Sequence, residues 1–172
     1  MTIQNNTLRI FIVFILVVYL ILLTKNILFK KNPGYYKDYF RKEYRHYSVD
    51  QGWKHANTKP FSTIRLFYYS RRMNPEYKQN NLWGNLVGFV PLGILLPMIF
   101  PVFRKLFITL FTGFGVSLFF ELSQLKFGLG IFDVDDLILN TAGCLAGYLL
   151  FIMIRKLLGV KNPNHLNPST SL

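Results

Sequence analysis

Apolar residues gather along this chain in four long blocks, separated by links in which basic and polar residues predominate. The blocks run Leu8 to Phe29, Leu86 to Phe103, Leu106 to Leu125 and Leu137 to Ile154. Each is near the roughly 20 residues a helix needs to cross the hydrocarbon of a bilayer. The pattern predicts an all-α membrane protein, a bundle of four transmembrane helices with an interfacial amphipathic segment between the first two. The organisation expected is a first span in 1–30, a basic and aromatic interfacial region in 31–84, a core of three spans in 85–156, and a disordered tail in 157–172. The apolar run "IFIVFILVVYLILL" is long for a signal peptide, and no small-x-small site follows it before "TKNILFKK". It reads as a retained span.

The links refine this picture. After the Pro33-Gly34 turn signal, Tyr36, Phe40, Tyr44 and Tyr47 recur at helical spacing, with Lys37, Arg41, Lys42 and Arg45 on other faces. That suits an interfacial helix; a solvated loop whose aromatics pack on the spans is the alternative. "FYYSRR", Phe67 to Arg72, is a candidate second interfacial piece. In the second span, Gly84 and Gly88 have the small-xxx-small spacing that lets helices approach closely. Pro91 predicts a kink there. The short link "FRK" makes the second and third spans an antiparallel hairpin.

Polar residues enter the last two spans in a pattern. Glu121 and Gln124 are i,i+3 and share a helix face. Asp133, Asp135 and Asp136 follow a glycine-bearing link, and Asp136 and Asn140 are i,i+4. Gly143 and Gly147 continue that side as "GCLAG". Such a stripe should face other helices rather than lipid.

Charge adds a partner. The net charge of +12 comes mainly from the link between the first two spans, so anionic lipid headgroups are the expected counterpart. No nucleic-acid motif is present. His46, His55 and His165 are far apart, and the one cysteine, Cys144, lies within the last block, so no metal, other cofactor or intrachain disulfide is implied. The first link is about as long as the ~60-residue limit of the positive-inside rule. The cleaner reporters, Arg104-Lys105 and the basic residues after the last span, favour both termini inside.

Four motifs together resemble the VanZ-like family, named for a teicoplanin-resistance membrane protein. They are "NTKPFSTI" (Asn57 to Ile64), "GNLVGFVPLG" (Gly84 to Gly93), "ELSQ" (Glu121 to Gln124) and "FDVDDLILNTAG" (Phe132 to Gly143). The resemblance implies a multi-pass protein of the bacterial cytoplasmic membrane. By motif position, its polar set falls on Asn85, Pro91, Glu121, Gln124, Asp133, Asp136 and Asn140. This chain departs at Gly130, where many relatives carry an Arg shortly before the first aspartate, and it shows four spans where some members have five.

Three readings of the polar set stay open at this point. It could bind a ligand, through amides and carboxylates suited to peptide or sugar groups. A lipid-linked envelope precursor or a glycopeptide antibiotic would fit the resemblance. It could be an intramembrane enzyme dividing acid and base roles between carboxylates. Or it could join helices, with Asp135 or Asp136 capping the fourth. The resemblance favours modulation of the cell envelope, including reduced sensitivity to teicoplanin-type antibiotics.

Overall fold

The computed structural model describes residues 6–29, 36, 39, 49–69 and 75–158, with backbone alone for 75–80. Apart from Tyr36 and Tyr39, both helical, the amphipathic helix expected from Tyr36 to Tyr47 lies outside the described residues, as does the tail beyond Leu158. In chain order come α1 (Asn6–Leu28), α2 (Ser62–Tyr69), α3 (Pro75–Gly88), α4 (Val90–Ile99), a 3-10 turn (Pro101–Arg104), α5 (Leu106–Phe127) and α6 (Val134–Leu157). Residues 49–54 form a further short helical piece. Among the described residues there is no named strand, only an isolated parallel bridge between Asn57 and Asp133. Among the described residues, four helical segments are long and apolar enough to cross a membrane: Asn6–Leu28, Asn81–Ile99, Leu106–Phe127 and Val134–Leu157. The protein is all-α, as the hydropathy blocks predict.

Proline sets the breaks in the second span. The helix stops at Gly88, Phe89 takes φ −95 and ψ −5, and α4 restarts with Pro91 in its first turn. There the proline ring costs no hydrogen bond, whereas in a continuous helix it would clash with the preceding turn. The span also ends earlier than its apolar block. Phe100 turns extended, with φ −118 and ψ 117, ahead of Pro101, as residues before proline do. The 3-10 turn then reverses the chain into α5.

Helix α6 is the centre, with α3, α4 and α5 all packed on it and α1 set against α4 and α5. The outer face of α1 leaves Ile10, Phe11, Phe14 and Ile21 uncovered, the arrangement lipid tolerates and water does not. Glycines permit the close approach. A Cβ on Gly143 would collide with the Leu86 carbonyl, one on Gly147 with the Val90 carbonyl, and one on Gly93 with the backbone of Cys144 and Tyr148. These pairings run parallel, Leu86 to Val90 beside Gly143 to Gly147. On the other side α5 runs antiparallel, with Gly113 against the Cys144 sulfur.

The small-residue spacing in the second span points to the wrong glycine. A Cβ on Gly84 would have nothing within 4 Å, and Gly88 makes only ordinary contact with Leu23 of α1, at 3.6 Å. Gly84 is exposed, whereas Asn85 and Phe89 are buried. Gly93 takes the close-approach role instead. Gly88 serves through its carbonyl, which accepts the Tyr19 hydroxyl at 2.7 Å.

Enlarging Gly143 or Gly147 to Val should therefore destabilise the bundle by about 3 kcal/mol, the upper range for overpacking. The same change at Gly84 should leave stability near wild type. Thermal unfolding in detergent, with membrane abundance measured alongside, checks the contrast.

Candidate polar site at one end of the bundle

The polar residues of the last two spans converge where α5 ends and α6 begins. Helix α5 stops at Gly128, whose φ of 62 supplies the left-handed turn. The chain then returns through Gly130 to Asp133. Asp133 is the N-cap of α6, its side chain accepting the Asp135 N–H at 2.8 Å. Its own N–H donates to Glu121 Oε2 at 2.9 Å. So the two motif acids are joined through the backbone, and the carboxylate of Glu121, only 2% exposed, lies over the start of α6.

Asp133 also grips the link before the second span. Its two carboxylate oxygens accept from Asn57 Nδ2 at 2.7 Å and Thr63 Oγ1 at 2.6 Å. The backbones pair at the same place, with Asn57 N–H on the Phe132 carbonyl and Val134 N–H on the Asn57 carbonyl. Asn57 Oδ1 in turn accepts from the Lys59 N–H and the Ser62 hydroxyl.

Asp135 caps a helix, but not its own. Fully buried, it accepts the backbone N–H groups of Phe61, Thr63 and Ile64 at 2.5, 2.7 and 3.0 Å. Those are amides that open α2 and have no partner within that helix. A carboxylate there also meets the favourable end of the helix dipole. The geometry forces Phe61 to φ 63, which costs roughly 1–2 kcal/mol for a residue with a Cβ. Bonds to a charged acceptor contribute roughly 1.5–3 kcal/mol each, so three of them outweigh the strain.

The capping expected of Asp135 or Asp136 on the last helix thus falls to Asp133, because it is the last extended residue before α6. Asp136 is buried one position further on, its N–H on the Asp133 carbonyl at 3.2 Å. Gln124 ties in the first span, donating from Nε2 to the Ile27 carbonyl at 2.9 Å. Tyr39 does the same at the end of α5, donating its hydroxyl to the Phe127 carbonyl. Deeper in the bundle, Asn140 donates to Ser117 Oγ at 2.8 Å. Asn85 is buried on α3, and Pro91 restarts α4 without facing the acids. Asn57, Thr63 and Asp135 were absent from the expected polar set, although "NTKPFSTI" and "DVDD" contain them.

The opposite end of the bundle is basic. The Tyr148 hydroxyl donates to the Arg104 carbonyl at 2.5 Å. Burial, and secondarily the nearby Arg155, lower the Arg104 pKa from its ordinary value. Lys105 and Lys156 flank them in sequence. Glu121, Asp133, Asp135 and Asp136 thus gather at one end, and Arg104, Lys105, Arg155 and Lys156 at the other.

The VanZ/LLP1 family profile matches residues 14–155, which takes in the second and third spans, most of the first and fourth, and the whole polar assembly. The chain belongs to the VanZ/LLP1 family. No curated protein and no solved structure matches it. In this VanZ-type chain the motifs "NTKPFSTI", "ELSQ" and "FDVDD" are one interlocked unit, although 57 and 133 are far apart in sequence.

Replacing Asp135 by Asn would keep its shape but set an NH₂ group against backbone donors. A loss of about 3 kcal/mol is expected, together with faster trypsin cleavage at Lys59 and Arg65. Asp50→Asn, at an exposed carboxylate, should change neither. Melting temperature and limited proteolysis in detergent read both effects.

Proposed function

We propose that this VanZ-type membrane protein modulates the cell envelope from the bacterial cytoplasmic membrane, reducing sensitivity to teicoplanin-type antibiotics. It does so by presenting a fixed surface at one membrane face. The observation that carries this reading is the capping of α2 by Asp135. That bond set holds a short helix whose Phe61, Leu66, Tyr68 and Tyr69 are all exposed, Tyr68 at 82%. Arg65 lies 5.9 Å from the Tyr69 ring centroid, adding a cation to the aromatic surface. Aromatic rings beside a cation suit the boundary of a membrane, where acyl chains meet phosphates. A lipid-linked envelope precursor, or the acyl chain of a lipoglycopeptide, has that chemistry.

The charge distribution supports the side. With Arg104, Lys105, Arg155 and Lys156 at the cytoplasmic end, α2 and the acids face outward, where such precursors and drugs meet. The engagement of Asp133 and Asp135 by neighbouring donors supports a holding role over acid–base catalysis, since their oxygens are already taken up by structural hydrogen bonds. The same engagement favours a second reading, in which the α2 surface docks another membrane protein.

Expression in a teicoplanin-susceptible bacterium tests the proposal. Wild type should raise resistance several-fold to lipoglycopeptides. Tyr68→Ala with Tyr69→Ala should abolish the gain at unchanged membrane abundance. Glu121→Gln should reduce it beyond any loss of protein. A phenotype that merely tracks the amount of protein would remove the site reading, and one absent from wild type would remove the antibiotic.

A further inference from the structure

Among the described residues, two buried side-chain amide atoms lack partners, Asn85 Nδ2 and Asn140 Oδ1. Their residues are 7% and 2% exposed. Asn140 spends its own NH₂ on Ser117, so what remains on it is an acceptor. The atom of Asn85 shut off from solvent is its donor.

The helix register brings these two groups to one level. The Cβ of Phe89 lies 3.3 Å from where Gly143 would carry a Cβ, and α3 and α6 run parallel. One helical turn back from Phe89 on the same face is Asn85. One turn back from Gly143 is Asn140. The register thus puts a free donor and a free acceptor at one level on two packed helices, with no hydrogen bond between them. An unmatched amide in such a place costs roughly 1–3 kcal/mol, and hydrocarbon offers no water to relieve it. Both deficits vanish if one oxygen accepts from Asn85 and donates to Asn140. The Leu86 carbonyl closes on Gly143 one turn further in.

We propose that Asn85 and Asn140 form a buried site for a single hydroxyl group, taken from a water molecule or from a lipid-borne ligand. Asn85 Nδ2 donates to the hydroxyl oxygen, and the hydroxyl proton is given to Asn140 Oδ1. The site lies about seven residues, roughly 10 Å, along α6 from Asp133. It stands apart from the α2 surface and goes beyond the envelope reading, so either can fail without the other.

Cryo-electron microscopy of the full chain in a lipid nanodisc, bound by an antibody fragment, tests the site without any variant. Density for one oxygen between the two amides is expected. The same map from delipidated protein distinguishes the sources: retained density means water, and elongated density that disappears means a lipid hydroxyl. A second measurement is a double-mutant cycle with Asn85→Leu and Asn140→Leu, read by reversible unfolding in detergent. Each single variant should lower the folded-to-unfolded ratio by roughly tenfold, and the pair should lose little more than either alone. Amides bonded directly to each other, or an empty gap with losses that multiply, would overturn the site.

Discussion

Within a lipid-embedded bundle, every polar atom that leaves water must find its partner inside the protein. In this chain that constraint is met chiefly at the first turn of α6. Asp133 ends the incoming backbone, caps α6 and binds Asn57 and Thr63. Asp135 takes the amides of α2. Glu121 receives the Asp133 N–H, and Gln124 reaches the Ile27 carbonyl. Through these few bonds α1, α2, α5 and α6 share one end. The level at which α6 enters the bundle, and hence which glycine meets which carbonyl, follows from where that first turn is anchored.

Hydropathy made the four spans legible because lipid imposes length and apolarity on each segment by itself. The break near Pro91 was equally local, a matter of one ring and one missing N–H. The contacts between elements were less accessible. Gly84 and Gly88 have the same spacing as Gly143 and Gly147, yet only the latter pair lies against a neighbouring backbone. Spacing gives a shared face, and packing decides what that face meets. Asp135 shows the same limit more sharply. Three aspartates before a helix suggest caps for that helix, whereas the amides bound by Asp135 are 71 to 74 residues earlier. Nothing local in "DVDD" encodes this partner, although the start signal "PFST" marks a helix in need of a cap.

Gly130 bears on how a carboxylate survives at such a place. An arginine at this position would be one form of internal counter-ion. Here a Cβ at Gly130 would lie 2.8 Å from Gln124 Oε1 and 3.1 Å from its Cδ. The amide of Gln124 thus occupies space that a side chain there would need, and uses its other end to secure α1. Asp135 gains its stabilisation from three N–H groups and the end of a helix dipole instead. A guanidinium is a movable charge on a long stem, while backbone amides are fixed by the helix that carries them. Reliance on the second makes the stability of the acid depend on the position of α2. The carboxylate cannot relax without releasing that helix, and α2 cannot leave without stranding a buried charge. This mutual dependence is stronger than shape complementarity alone would supply, because a buried, unpaired carboxylate is among the most costly defects a fold can hold.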